Sequence, residues 1–210
     1  MADAAKTLIV DIVLDNSVLA HEYGVIPKFE ALLEALKSFE QAEAQPDGLK
    51  LGIHTFAGLS METIKAYDAT EYQALPKNGF PLMNRMLRAV TQQTETYIQD
   101  HLETRDIDYF RPWLIILSSG LGYDKIDFFE TYSPKKKEMQ PVIFPFLLSK
   151  ELIMFDVSKI NQIKPFITLK DFDVSAFSNW LHTMIHQRLS IGPDTSMRLS
   201  KDMFEGWTQL

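Results

Sequence analysis

Asp11 is out of place. It falls inside Thr7 to Asp15 (TLIVDIVLD), a short and nearly continuous apolar run, where an unpaired carboxylate is costly to desolvate. His54 sits at a comparable depth in a second such run, Leu49 to Ala57 (LKLGIHTFA). A carboxylate that orients an imidazole is half of a general-base system, but that chemistry also needs a nucleophile or bound substrate at hand. None is evident beside this pair, and no nucleophile elbow is present. Asp11 and His54 therefore read as a structural pair in which each satisfies the other, no catalytic residue is assigned, and a hydrolase remains only as an alternative.

Three further groups could do chemistry. His182 and His186 lie four apart on a predicted helix, a spacing that puts both rings on one face. A metal site needs three or four ligands and no third is suggested, so both are expected at the solvent edge. Lys135-Lys136-Lys137 follows Ser133-Pro134 and reads as a solvated loop, its field weakened by surrounding acidic residues. Gly120 and Gly122 alone do not make a phosphate-binding loop. The chain has no cysteine, which excludes disulfides, thiolate metal sites and cysteine nucleophiles together.

The elements that must position these groups alternate between strand and helix, the pattern of a mainly parallel sheet covered by helices. Thr7 to Asp15 and Leu49 to Ala57 read as strands buried on both faces. Between them, Phe29, Leu32, Leu33, Leu36 and Phe39 form a helical stripe within Ile26 to Ala44, closed by the Pro46-Asp47-Gly48 turn. Met61 to Tyr67 alternates and reads as an edge strand. After Asn78-Gly79 a long helix carries Leu82, Met86, Leu87, Val90, Tyr97 and Ile98 on its apolar face. Further strands are expected at Trp113 to Leu117, Pro141 to Leu148 and, last, Lys164 to Leu169. Leu121 to Gln140 is left unassigned. A final helix is expected over Val174 to Leu189, and Met197, Leu199, Phe204 and Trp207 make the end of the chain too apolar to hang free. The expected organisation is one domain over residues 1–190 with a tail, 191–210, packed on it.

With 210 residues, 46% hydrophobic and 23% charged, the chain can build one sizeable core. Its net charge of −7 argues against nucleic acid and against an acidic membrane surface, both of which select clustered Lys and Arg. Asp3 and Asp11 interrupt what would be the apolar stretch of a signal peptide, and no run approaches a membrane span. A cytoplasmic protein is expected.

The strand-then-turn at Asp15-Asn16-Ser17-Val18-Leu19 resembles the Asp-x-Ser-x-Ser that follows the first strand of von Willebrand A domains. Later landmarks occur in that family's order. LGIHTFAG resembles its second strand, KNGFPLMNRML the Gly-Gly-Thr stretch that opens a helix, and FRPWLIILSSGLGYD the strand ending in Thr-Asp-Gly. Arg111-Pro112-Trp113, KPFITLKDFDVSAFSNWLHTMIHQRLS and the closing FEGWTQL are similar to bacterial tellurite-resistance TerY-like proteins. The resemblance implies a doubly wound, Rossmann-like α/β sheet with helices on both faces.

It also implies a metal site that has been dismantled. Intact members hold Mg²⁺ through the two serines, the threonine and the two aspartates. Here Asp15 and Ser17 remain, whereas Leu19 replaces the second serine, Phe80 the threonine and Ser119 the second aspartate. Leucine and phenylalanine supply none of the oxygens that Mg²⁺ requires. No metal or other cofactor is expected, with Mg²⁺ held by Asp15, Ser17 and substitutes such as Asn16, Ser119 or Asp124 as the alternative. Asp15, Asn16, Ser17, Leu19, Phe80 and Ser119 become the rim of a candidate partner-binding surface, unless Leu19 and Phe80 simply plug the vacated space. The implied role is a non-catalytic protein-interaction module in bacterial stress response, with a kinase or phosphatase as the implied partner.

Overall fold

The computed structural model describes residues 6–22, 24–41, 48–57, 60–76, 82–118, 131–148, 166–168, 172–191 and 207–209. They form a seven-stranded sheet in the order β3-β2-β1-β4-β5-β6-β7, with β1 Leu8–Leu14, β2 Leu49–Ala57, β3 Ser60–Lys65, β4 Trp113–Ser118, β5 Val142–Leu147, β6 Phe166–Thr168 and β7 Trp207–Gln209. The strands from β2 to β6 are mutually parallel, and the two edges, β3 and β7, are antiparallel to their neighbours. This is the doubly wound α/β fold. The chain leaves β1 to build β2 on one side and later returns to build β4 on the other, so the order reverses at β1.

All seven residues of β1 and all six of β4 are buried. That is why both read as continuous apolar runs rather than alternating ones. Leu8, Val10, Ile12 and Leu14 face a core shared with α2 (Ile26–Gln41) and α4 (Val174–Ser190), whose contacts come from Phe29, Leu32, Phe177 and Trp180. Val13 packs on the opposite face with Met86, Leu87 and Val90 of α3 (Met83–Tyr97), and Leu114 and Ile116 of β4 join them. Asp173 caps α4, its side chain accepting the Ala176 N–H at 3.0 Å, and so fixes where the final helix begins.

Several expectations need correcting. A short helix, α1 (Val18–Glu22), follows β1 and was hidden because five residues show no period. The edge strand stops at Lys65, and Tyr67 instead lies in a turn with its side chain directed into the core. The long helix does not run on unbroken: Ile98–Leu102 is a π-helical turn and Glu103–Arg105 a 3₁₀ turn. The sheet does not end with β6, since β7 extends it. Of the unassigned segment, residues 131–140 are strapped to the α3 side. Tyr132 donates to Glu95, Lys135 to Gln99 and Lys136 to Glu103, while Met139 is buried.

Pro145 inside β5 would ordinarily argue against a central strand. The amides of Val142 and Leu148 donate to Pro112 and Ser118, which sets the even-numbered residues of β5 toward β4. Pro145 therefore faces the other side, toward β6, whose described pairing involves Phe146 and Leu147. Its missing N–H costs the β4–β5 ladder nothing.

Candidate functional site

Two polar clusters lie on β1, one at its middle and one at its carboxyl end. The middle cluster centres on Asp11, which is 2% exposed. Its Oδ1 accepts from His54 Nε2 at 2.9 Å and from the Tyr67 hydroxyl at 2.8 Å, and its Oδ2 accepts from Thr94 Oγ1 at 2.8 Å. His54 Nδ1 lies 3.3 Å from Thr63 Oγ1. The expected Asp11–His54 pair is therefore formed, and Tyr67 and Thr94 complete it.

Thr94 was readable in principle. It lies four residues beyond Val90, on the same buried helical face. Burial and the Asp11 carboxylate beside it raise the Tyr67 pKa well above the ordinary phenol value, so Tyr67 remains a neutral donor. Gly52 stands directly opposite Asp11 in the β1–β2 register. A Cβ there would come within 2.6 Å of Asp11 Oδ1 and 2.7 Å of the Tyr67 ring. A bulge between Ile53 and His54 accompanies the placement of the imidazole. Every polar atom of this cluster is engaged by another, which describes a filled core.

The second cluster is the rim identified from sequence. Asp15 is buried. Its Oδ1 accepts the Ser17 amide at 3.1 Å and its Oδ2 accepts the Ser118 hydroxyl at 3.0 Å. Ser17 Oγ accepts the Ala20 amide at 3.3 Å and so caps α1. Asn16 turns aside: its Nδ2 donates to the Pro76 carbonyl at 2.7 Å and its Oδ1 lies 3.0 Å from His21 Nε2. Thr55 Oγ1 donates to the Leu14 carbonyl at 2.8 Å, tying the adjacent strand end to the turn.

Asp15, Asn16 and Ser17 are thus brought together with Ser118, which the residue-by-residue reading passed over in favour of its neighbour Ser119. Phe80, Ser119, Asp124 and the side chain of Leu19 lie outside the described residues, as do Met197, Leu199 and Phe204 of the tail. Val18, beside Ser17, is 45% exposed and is the one large hydrophobic side chain left open among the described residues. The location matches the general rule that ligands of open α/β sheets bind beyond the strand carboxyl ends where strand order reverses.

The remaining candidates resolve more simply. His182 is exposed and His186 half-buried, their rings 4.3 Å apart, with His182 edge-on to Phe39 at 5.0 Å. Burial, with the neighbouring His186, lowers the His182 pKa. Among the described residues no three His, Cys, Asp or Glu side chains gather as a metal site, and no helix is long and apolar enough to cross a membrane.

No family model matches the chain, and no curated protein matches it by sequence. Its fold does have solved counterparts. The crystal structure of the ArnB paralog VWA2 from Sulfolobus acidocaldarius superposes with a TM-score of 0.53 at 15% identity, over 85% of this chain and 45% of that one. The fold is a von Willebrand A-type, Rossmann-like α/β fold. This chain spans less than half the length of that neighbour, and at such identity the likeness concerns the fold alone.

Proposed function

We propose that this chain is a non-catalytic, cytoplasmic protein-interaction module of von Willebrand A type that engages its partner through the rim beyond β1 without a metal ion. One observation carries the reading. Both oxygens of Asp15, the surviving acidic ligand, accept hydrogen bonds from the chain's own Ser17 and Ser118. Ser17 Oγ is occupied as a helix cap, and the Asn16 side chain is committed to Pro76 and His21. These oxygens hold the turn, so a cation would have to share them. Leu19 and Phe80 bring none, so the residues present do not make the near-octahedral oxygen shell that Mg²⁺ demands. Val18, exposed beside the rim, would supply one apolar contact within such an interface.

The resemblance to TerY-like proteins supports a role in bacterial stress response of the tellurite-resistance kind, with a kinase or phosphatase as the proposed partner. Calorimetry and thermal unfolding with MgCl₂ and MnCl₂ test the metal-free half: no saturable heat and no stabilisation are expected. Saturable binding that disappears in Asp15→Asn would restore the metal-dependent reading. Capture of a partner kinase or phosphatase by wild type, lost with Val18→Asp and with Leu19→Ser plus Phe80→Ser, is the outcome expected of the rim. Equal capture by all three forms refutes that surface.

A further inference from the structure

A cavity of about 600 Å³ opens far from the rim, between the turn after β3 and the face of α3 where it passes into its π-helical turn. We propose that this cavity is a binding site for a primary ammonium group carried on a short apolar stem. Its volume falls in the range of small-ligand pockets, roughly 300–1,000 Å³. Ala66, Ala69 and Ala89 give it a small apolar floor, and Asp68, Asp100 and Gln92 supply acceptors around it. Both carboxylates belong to a chain of net charge −7. Burial works to raise the Asp68 pKa, but hydrogen bonds from Lys50 and Tyr97 outweigh it and bring the value below the usual carboxylate range. Asp68 is therefore charged at neutral pH, and among the described residues its oxygens accept one donor each, Lys50 at 2.6 Å and the Tyr97 hydroxyl at 2.9 Å. A carboxylate oxygen can accept a second.

The aromatic walls choose between kinds of cation. A quaternary ammonium ion is held by open aromatic faces. Here Tyr97 is already in contact with two rings, Tyr67 at 4.5 Å and His101 at 4.7 Å, the latter nearly parallel at 22°. The rings are spent on one another. What the cavity presents is a set of point acceptors, which suits the three directed N–H donors of a primary ammonium. The π-helical turn widens the backbone at His101 and Asp100, and such turns are frequent at functional sites. Lys50, which neutralises part of the Asp68 charge, is the competing cation, and its side chain is about one-third exposed.

The ammonium group could belong to a free amine or to a lysine side chain of a partner, and the test has an arm for each. The full chain is titrated calorimetrically at low salt with n-butylammonium chloride and, separately, with Nα-acetyl-lysine-N-methylamide. Saturable binding of either probe is expected; preference for the amine indicates a free ligand and preference for the lysine derivative a protein source. Asp100→Asn should weaken the favoured probe by about fivefold, the upper end for a solvent-facing ion pair, and Ala89→Leu, which fills the floor on a helix that tolerates it, should abolish binding. Asp15→Asn should leave it unchanged. Tetramethylammonium should bind more weakly than either probe. No saturable heat with either probe, or binding untouched by both Asp100→Asn and Ala89→Leu, would overturn the assignment.

Discussion

Replacing Gly52 with alanine adds a single methyl group, and the structure specifies what that methyl would meet. An ideal Cβ at Gly52 lies 2.6 Å from Asp11 Oδ1, 2.7 Å from Tyr67 Cε1 and 3.0 Å from His54 Nε2. None of these neighbours can yield cheaply. Asp11 is held through both oxygens, Tyr67 by hydrogen bonds to Asp11 and Thr94, and His54 is fully buried. Moving Asp11 far enough to admit a methyl breaks one or two of its three hydrogen bonds, and a hydrogen bond to a charged group is worth about 1.5–3 kcal/mol. Alanine returns only about 0.5–1 kcal/mol by restricting the unfolded chain and favouring the strand. The net expectation is a loss of about 0.5–5.5 kcal/mol, up to a large fraction of a typical domain's stability.

Urea unfolding followed by far-UV circular dichroism measures this loss as a lower midpoint at unchanged slope. Because the clash is with Asp11 in particular, Gly52→Ala should cost less in an Asp11→Ala background, with a coupling of at least about 1 kcal/mol. Strict additivity, or a Gly52→Ala variant within about 0.5 kcal/mol of wild type, would mean that the Asp11 cluster is looser than its distances imply.

All five described tyrosines donate to a carboxylate, Tyr67 to Asp11, Tyr72 to Glu40, Tyr97 to Asp68, Tyr109 to Glu103 and Tyr132 to Glu95, and burial together with these acceptors raises every one of their pKa values. The folded state therefore keeps phenolic protons that the unfolded chain releases above about pH 10, so stability is fully present below that pH and falls as pH rises through it, by up to about 1.4 kcal/mol per pH unit for each deeply buried ring. Tyr67→Phe should lower stability at neutral pH yet flatten this alkaline decline, which urea titrations across the range would show. Lys65, nearly fully buried, spends its ammonium on Glu40 at 3.0 Å and on the Leu51 and Ala66 carbonyls. Glu40→Gln should cost about 3 kcal/mol by stranding that charge, whereas the double substitution Glu40→Met, Lys65→Met should recover most of the loss; equal costs for single and double would refute the pairing argument.

What the sequence reveals about this fold tracks how local the determining physics is. The strands β1, β2, β4 and β5 and the helices α2, α3 and α4 were legible because burial on both faces writes continuous apolar runs and burial on one face writes a helical stripe. Asp11 and His54 could be paired on paper because each is anomalous within its own strand and the strands are consecutive. Tyr67 could not, since nothing in Met61 to Tyr67 announces that the strand ends at Lys65 and turns its next aromatic inward. At the rim the limit is different in kind. Comparing Asp15, Ser17, Leu19, Phe80 and Ser119 with an intact ligand set tells which oxygens are missing, because that is a matter of residue type. Where the remaining oxygens go is a matter of geometry: Ser17 caps a helix too short to show a period, and Ser118 reaches Asp15 across 103 residues of chain. Dismantling a cation site thus involves more than deleting ligands. The carboxylate left behind must be given new donors: Ser118 supplies a hydroxyl that an apolar substitution would remove, whereas Ser17 supplies a backbone amide that any residue but proline would keep.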